Sequence, residues 1–415
     1  MTKPQKIAAE LFAAQALASQ VKAELTKNIL PYWTRRICNP DGGFYGRIDG
    51  KDVTGPSAPI GNIMTARILW TYASAYRLLR DTPQSQEYLE MALRAKNLII
   101  KHFYDPEFGG TYWSLNPDCS PYDTKKQIYA IAFSIYGLAE LNRATGDGQA
   151  LEYAIKLFNS IEDHSYDAGK DGYFEAFTRE WETIADMRLS DKDANESKTM
   201  NTHLHVLEAY TCLYRVWPNS RLEERLRGLI SVFERHIIGG DGHLRLFFDE
   251  DWNCRYETVS YGHDIEASWL LHEAASVLGD TEVLERIEAS VPRIAAAADE
   301  GFSPEGGMIY EKNGHDGPTD GDRHWWVQAE TVVGYFNLWD HFGSQEGLEN
   351  ALMCWDFIKA HLIDRENGEW FWSIRSDGSV NRDDDKAGFW KCPYHNGRMC
   401  MEIIERVSRM QHAKH

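Results

Sequence analysis

A short turn signature recurs six times along the chain and sets the period of any fold it can adopt. Each copy is a Gly pair or an Asp/Asn-Gly followed closely by hydrophobic, usually aromatic residues. The copies are Gly42-Gly43-Phe44-Tyr45-Gly46, Gly109-Gly110-Thr111-Tyr112-Trp113, Asp171-Gly172-Tyr173-Phe174, Asp241-Gly242-His243-Leu244, Gly306-Gly307-Met308-Ile309-Tyr310 and Asn367-Gly368-Glu369-Trp370-Phe371-Trp372. They lie roughly 60–70 residues apart, a longer period than that of the common solenoid repeats. Gly pairs and Asp-Gly supply positive φ for tight turns, and the β-formers behind them predict short hairpins.

Between copies, apolar residues recur at i, i+3, i+4 and i+7. The spacing predicts helices over 5–30, 61–81, 85–104, 123–145, 148–163, 197–216, 219–237, 262–278, 280–298, 322–341, 346–361 and 394–411. That is two per repeat. Breaks such as Arg80–Gln84 and Thr145–Gly148 read as tight helix–helix connections. The connections that carry the signature are longer, as expected of loops that build a site. Closing a ring buries both helices of every pair, with six inner helices in mutual contact and six outer helices packed on them. The expected fold is therefore an all-α (α/α)6 barrel of twelve helices, with short β-hairpins in the loops at the active-site end and one domain spanning 1–415. An open superhelical stack of helix pairs is the alternative.

Charge and composition narrow the partners. The 415 residues carry a net charge of −19, which argues against nucleic acid or an anionic membrane. The 14 Trp and 20 Tyr offer apolar bodies with polar tips, a surface that suits sugar rings as well as a core. The seven Cys form no CxxC, so neither a zinc framework nor a disulfide scaffold is indicated. The N-terminal stretch MTKPQKIAAELFAAQALASQ is an amphipathic helix pattern without a signal-peptide core, and no apolar run reaches transmembrane length. The expected location is the cytoplasm.

The unusual polar residues gather on the helix that follows each long loop, mostly in its N-terminal half. Arg67 lies in GNIMTARILW and Tyr129 in KKQIYAIAFSIY. Asn201, His203 and His205 lie in MNTHLHVLEAY, and His263 and Glu266 in SYGHDIEASW. Trp325, Trp326, Gln328 and Glu330 lie in HWWVQAE, and Trp390, His395 and Arg398 in WKCPYHNGR. His263 and Glu266 are three apart and share a helix face, which sets a group titrating near neutrality beside a carboxylate. His203 and His205 are two apart, so only one faces inward; His205 is in phase with Asn201 and Leu204–Leu207. If these helices are the inner ones, their polar side chains converge on one end of the ring, and this convergence favours closure. Such a funnel suits a small polar ligand. HDIE and HLH lack a dominant metal signature, so no metal is expected.

The blocks SYGHDIEASWLL, WWVQAE and WKCPYHNGRMCMEII, with ARILW and TMNTHLH, closely resemble the cellobiose 2-epimerase family, part of the N-acylglucosamine 2-epimerase superfamily, and the match runs along nearly the whole chain. The resemblance implies an (α/α)6 barrel and cofactor-free inversion at C2 of a reducing-end aldose. It also implies roles. Arg67 would bind the sugar near O1 and O2, His205 would assist at the ring-opened aldehyde, and His263 and His395 would be the acid/base pair. Glu266 and Glu330 would support ring opening and orient the histidines, and Trp326 and Trp390 would stack on sugar. Tyr129, Asn201, Trp325 and Arg398 complete the expected substrate-binding set. Two positions depart from the family: Thr65 stands where His or Asn is frequent, and Gln127 where some members have His.

Inversion beside a carbonyl requires the sugar ring to open, the C2 proton to leave, and a proton to return to the other face of an enediol(ate). Two histidines near neutral pH fit that work, and no Gly-rich phosphate motif asks for a nucleotide or flavin. The same chemistry on mannobiose, or on free mannose and glucose, is the nearest alternative. A glycosidase using paired carboxylates, drawn from Glu266, Glu330 and Asp264, is the rival from another class, and a carbohydrate-binding scaffold is a third. Trp372, Phe389 and Trp390 at the rim favour a disaccharide. The expected partner is a small sugar, with the chain a monomer or a weak homo-oligomer.

Overall fold

In a computed structural model the chain is described over residues 3–40, 42–314 and 317–412. Helices α1 (Lys3–Glu24) and α2 (Leu30–Arg36) form one rod through a π-helical turn at Leu25–Ile29. There follow α3 (Asn62–Leu78), α4 (Ser85–Leu98), α5 (Ile128–Thr145), α6 (Gly148–His164), α7 (Met200–Val216) and α8 (Ser220–Val232). The rest are α9 (Tyr261–Leu278), α10 (Thr281–Ala298), α11 (Trp325–Phe342), α12 (Gln345–Phe357) and α13 (His395–His412). Helices α3, α5, α7, α9, α11 and α13 each pack on the next, and α13 returns to α3, so the ring is closed. The α1–α2 rod packs on α13, joining the two ends of the chain. The fold is an (α/α)6 barrel, with the expected helices in the inner positions.

Patterning explains the two rings. Inner α5 is buried on every side from Ile128 to Leu141, as a helix apolar all round must be. Outer α8 buries Leu222, Leu226, Leu229 and Ile230, a single stripe at helical spacing, and leaves its charged face outward. The turn from inner to outer helix uses one device several times. Gly146, Gly279 and Gly343 end α5, α9 and α11 in the left-handed region, and the next residue caps the outer helix. Asp147, Asp280 and Ser344 accept backbone N–H groups of Ala150, Val283 and Gly347, and Asn219 caps α8 in the same way.

The six signatures close six antiparallel bridges just beyond the outer helices: Cys38–Phe44, Tyr104–Thr111, Tyr166–Tyr173, Ile238–Leu244, Phe302–Met308 and Ile363–Trp370. Gly110 and Gly172 show why the residue must be glycine. At Gly172 φ is +82°, and a Cβ would lie 2.4 Å from Trp252; at Gly110 φ is +67°, and a Cβ would lie 2.7 Å from Trp181. Beneath the loops lie buried ion pairs in corresponding positions, Asp105–Lys126, Asp167–Lys198 and Asp364–Lys386. Each aspartate also accepts backbone N–H groups of its own turn.

Two sequence expectations need refinement. Several inner helices start three to five residues later than the periodicity predicts, because the preceding residues are strand. Lys126–Gln127 pairs with Ala176–Phe177, Lys198–Thr199 with Phe247–Phe248, Thr258–Ser260 with Glu311–Asn313, and Arg323–His324 with Ser373–Ile374. The strands thus also stitch each loop to the next repeat, where local hairpins alone were expected. Among the described residues no helix is long and apolar enough to cross a membrane.

Candidate active site

The N-terminal ends of the inner helices meet at a cavity of about 340 Å3. Arg67 reaches it from α3, Tyr129 from α5, Asn201 and His205 from α7, and His263 and Glu266 from α9. Trp325 and Trp326 come from α11, His395 from α13, and Trp390 from the loop before α13. His263 and His395 face the same cavity, and both rings lie against the Trp326 indole, at 4.8 and 5.6 Å between centroids. A single small ligand can therefore meet both imidazoles. His205 joins them, edge-on to Tyr129 at 4.9 Å.

Each imidazole is held at Nδ1. His395 meets Glu330 Oε1 at 2.7 Å, His205 meets Glu208 Oε2 at 2.8 Å, and His263 meets Ser260 Oγ at 2.7 Å. A carboxylate only accepts, so the neutral forms of His205 and His395 carry the proton on Nδ1 and keep a lone pair on Nε2. Burial pushes all three histidines below the usual imidazole range. His263, further opposed by His205, falls to about 3, and Arg67 and Arg398 add to the effect at His395. The free imidazoles are thus neutral bases near pH 7.

Under the floor lies Arg398. Its Nη2 donates to Glu266 and to Glu330 at 2.7 Å each, and its Nη1 bonds Glu208 and the Tyr394 hydroxyl. Burial raises Glu208, but Arg398 and His205 outweigh it and hold that carboxylate at about 2. Burial and the neighbouring Glu330 carboxylate drive Glu266 well above the usual range. Ligand atoms of Glu266, Glu330 and His395 lie within 4.8 Å of one another, a donor set that suits a cation by type. Here the Arg398 guanidinium already occupies both carboxylates, so the set does not fit a resident metal.

Arg67 is held differently. Its guanidinium sits over Phe133 at 4.2 Å and Tyr394 at 4.9 Å, and bonds the Tyr129 hydroxyl at 2.7 Å and the Trp390 carbonyl at 3.2 Å. Among the described residues no carboxylate bonds it, so its charge remains available to an oxyanion in the cavity.

The structure corrects several expectations. Arg398 does not line the cavity; it is fully buried and serves the carboxylates that hold the histidines. Glu330 likewise acts from below, through His395 and a 3.1 Å bond from Trp269. Glu266 shares a helix face with His263 but bonds Arg398, leaving Ser260 to hold His263. Of the carboxylates of the glycosidase alternative, only Glu266 lines the cavity. It shares the Arg398 guanidinium with Glu330, and Asp264 is tied to His243 and the Leu244 N–H, so no two of them flank a substrate bond across the cavity. Phe389 packs on Trp113 at 4.8 Å, behind the rim, while Trp372 lines the cavity as expected. His205 is the inward histidine. His203 accepts the Tyr173 N–H at Nε2 and meets the Thr199 carbonyl at Nδ1, bolting a loop to α7. Leu189, Ser190, Lys192 and Asp193 on the loop before α7, with Tyr310 and His324, also line the cavity and escaped the sequence reading. His324 stacks on Tyr310 at 4.1 Å, a contact its position just before the Trp pair could have suggested.

A model of the N-acylglucosamine 2-epimerase (GlcNAc 2-epimerase) family matches residues 43–397. The chain is 62% identical to a cellobiose 2-epimerase of Bacteroides fragilis, over 94% of this chain and 99% of that one. It is 38% identical to a cellobiose 2-epimerase of Ruminococcus albus, over 94% and 99%. The solved structure of cellobiose 2-epimerase from Bacillus thermoamylovorans superposes with a TM-score of 0.89 at 37% identity, covering 94% of this chain and 100% of that one.

Proposed function

Because the chain belongs to the N-acylglucosamine 2-epimerase family, we propose that it inverts C2 of a reducing-end aldose, with cellobiose as substrate and 4-O-β-glucosyl-mannose as product. It is an isomerase, and its partner is a small sugar. The observation that carries the mechanism is the placing of His263 and His395 on one cavity with their Nδ1 atoms anchored.

The ring opens first. His205, its Nδ1–H turned to Glu208, takes the O1 proton at Nε2 and passes it to O5 as the C1–O5 bond breaks, leaving the C1 aldehyde and a neutral His205. One of the pair His263 and His395 then removes the C2 proton, and the C–H electron pair moves into an enediolate. The other enters the step as the imidazolium, having taken a proton from solvent, and returns its Nε2 proton to the opposite face of C2. The enediolate electron pair forms the new C–H bond, the C1 carbonyl is restored and the ring closes. Negative charge grows on O1 and O2 during this step. Arg67 and the converging helix N-termini provide fixed positive potential where that charge appears. Trp326 and Trp390 offer faces for the sugar ring, and Trp372 with Trp390 at the rim supports a second sugar unit. Arg398 acts through the carboxylates.

The test is C2 deuterium exchange in heavy water with His263→Asn and His395→Asn. Loss of general acid–base help costs on the order of 10²–10⁴-fold in exchange and epimerisation. Wild-type exchange in either variant removes that histidine from the pair. Running cellobiose, mannobiose, glucose and mannose side by side tests the disaccharide preference.

A further inference from the structure

Four histidines line one cavity; His324 is stacked on Tyr310, and the Nδ1 partners of the other three are not alike. Glu208 and Glu330 hold His205 and His395, and each carboxylate fixes a single neutral tautomer. His263 meets a hydroxyl instead, Ser260 Oγ at 2.7 Å, and among the described residues no carboxylate pairs with its ring.

Ser260 has forgone its ordinary work to do this. It occupies the N-cap of α9, where a serine usually accepts a backbone N–H from the first turn. At the same place on α7 the Thr199 hydroxyl does accept from Thr202 N. The Ser260 side chain makes no cap bond, and its hydroxyl is turned onto the imidazole. Its backbone is fixed independently by strand pairing with Glu311, so the hydroxyl is not needed to hold the loop.

We propose that Ser260 is a positioning residue that leaves the tautomer of His263 free to switch, while His205 and His395 are locked. The idea rests on the reading of His263 as one of the two proton-transfer groups. A hydroxyl both donates and accepts. When Ser260 accepts, His263 carries Nδ1–H and offers its Nε2 lone pair; it takes the C2 proton there, and the C–H electrons pass to the enediolate. When Ser260 turns its O–H toward Nδ1, Nε2 carries the proton and donates a hydrogen bond to a sugar oxygen. The conversion moves one proton. Once Nε2 has taken the C2 proton the ring holds two, and loss of Nδ1–H to solvent through the Ser260 hydroxyl, which then turns its own O–H to Nδ1, leaves the Nε2–H form with no movement of the ring.

Two measurements test this on the full-length protein. The first is kinetic. Ser260→Ala is expected to lower kcat for C2 exchange at least tenfold with KM changed less than threefold, and Ser260→Thr, which keeps a hydroxyl, to stay within threefold of wild type. The second is spectroscopic. Histidine ring 15N shifts, assigned by difference against His263→Asn, should place His205 and His395 in the fixed Nδ1–H form and His263 between the two tautomers. In Ser260→Asp, His263 should move to the fixed form. An unchanged rate in Ser260→Ala overturns the proposal, and so does a single locked His263 tautomer in the wild type. If His263→Asn itself retains full exchange, the assignment of His263 to the reaction falls, which is a separate failure.

Discussion

At the front of the ring the six inner helices turn their N-termini toward a cavity of about 340 Å3, and at the rear they turn their C-termini toward one of about 660 Å3. Both ends are rich in ionisable groups, but the rear groups largely satisfy one another. Arg77 bonds Glu140 at 2.7 Å, Arg215 bonds Glu273 at 2.7 Å, and Arg406 bonds Glu402 at 3.0 Å. Arg77 and Arg215 sit in the last turns of α3 and α7, where cations complement the dipole, so the rear chemistry is spent on the fold. At the front, no carboxylate among the described residues bonds Arg67, and three imidazoles have their Nδ1 atoms tied down behind the cavity wall. Cavity size therefore misidentifies the site, and the pairing state of the charges identifies it. Glu208 lines the rear cavity and holds His205 of the front one, so it marks the septum between them.

The largest expected effect lies just under that septum. Arg398→Met leaves Glu208, Glu266 and Glu330 together in a buried site without their shared cation. Removing one partner from a buried ionic cluster typically costs about 3–5 kcal/mol. Denaturant unfolding should show a loss of that order, and exchange at C2 should collapse as His205 and His395 lose their anchored carboxylates. A variant as stable as the wild type would mean that the front network resembles the solvent-screened rear pairs, and the contrast between the two ends would fail.

A smaller effect separates two neighbours on α7. His203 is buried among loop groups, and burial pushes it down to about 4 from an ordinary value near 6.5. The unfolded chain then binds more protons than the folded one between pH 6.5 and 4, so acid favours unfolding there. The contribution of neutral His203 is complete above pH 6.5 and is lost as pH falls toward 4; it amounts to at most about 3 kcal/mol, since each pKa unit is worth 1.36. His203→Gln removes that titration, and its stability should fall less steeply with acid over the same window. An equally steep slope in the variant would assign the acid sensitivity to other front histidines, such as His263.

How far the site was readable depends on the kind of signal each residue carried. The inner helices were legible because unusual polar residues gather on the helix that follows the long loop in each repeat. His205 could be chosen over His203 because two residues on a helix point about 200° apart. Ring closure was inferred from the convergence of polar residues, and it holds. Partnerships were not legible. Glu208 sits one turn beyond His205 on a stretch that reads as ordinary amphipathic helix, and nothing local says that it holds the imidazole. Glu266 looked like the partner of His263 by spacing, but the stronger pull came from Arg398, more than a hundred residues away in sequence. The cross-repeat strands are two or three residues long, too short for any periodicity to register. The loop with Leu189 and Asp193 is polar and irregular, and only the closed ring brings it over the cavity.

The smallest expected effect is at the rear. Arg215 and Glu273 are about 30% exposed each, and half-solvated pairs contribute roughly 0–1 kcal/mol. Arg215→Ala should therefore unfold within about 1 kcal/mol of the wild type and epimerise within twofold of it. The kinetic half is the sharper one. Glu273 lies on α9 two turns beyond Glu266, about 10 Å along the axis at 1.5 Å per residue. Any influence of the rear pair on the reaction must travel along that helix to Glu266 and Arg398 before it reaches an imidazole. If Arg215→Ala cut the exchange rate tenfold while leaving the unfolding curve in place, the two ends would be mechanically coupled through α9, and the rear cavity would have to be counted as part of the catalytic apparatus.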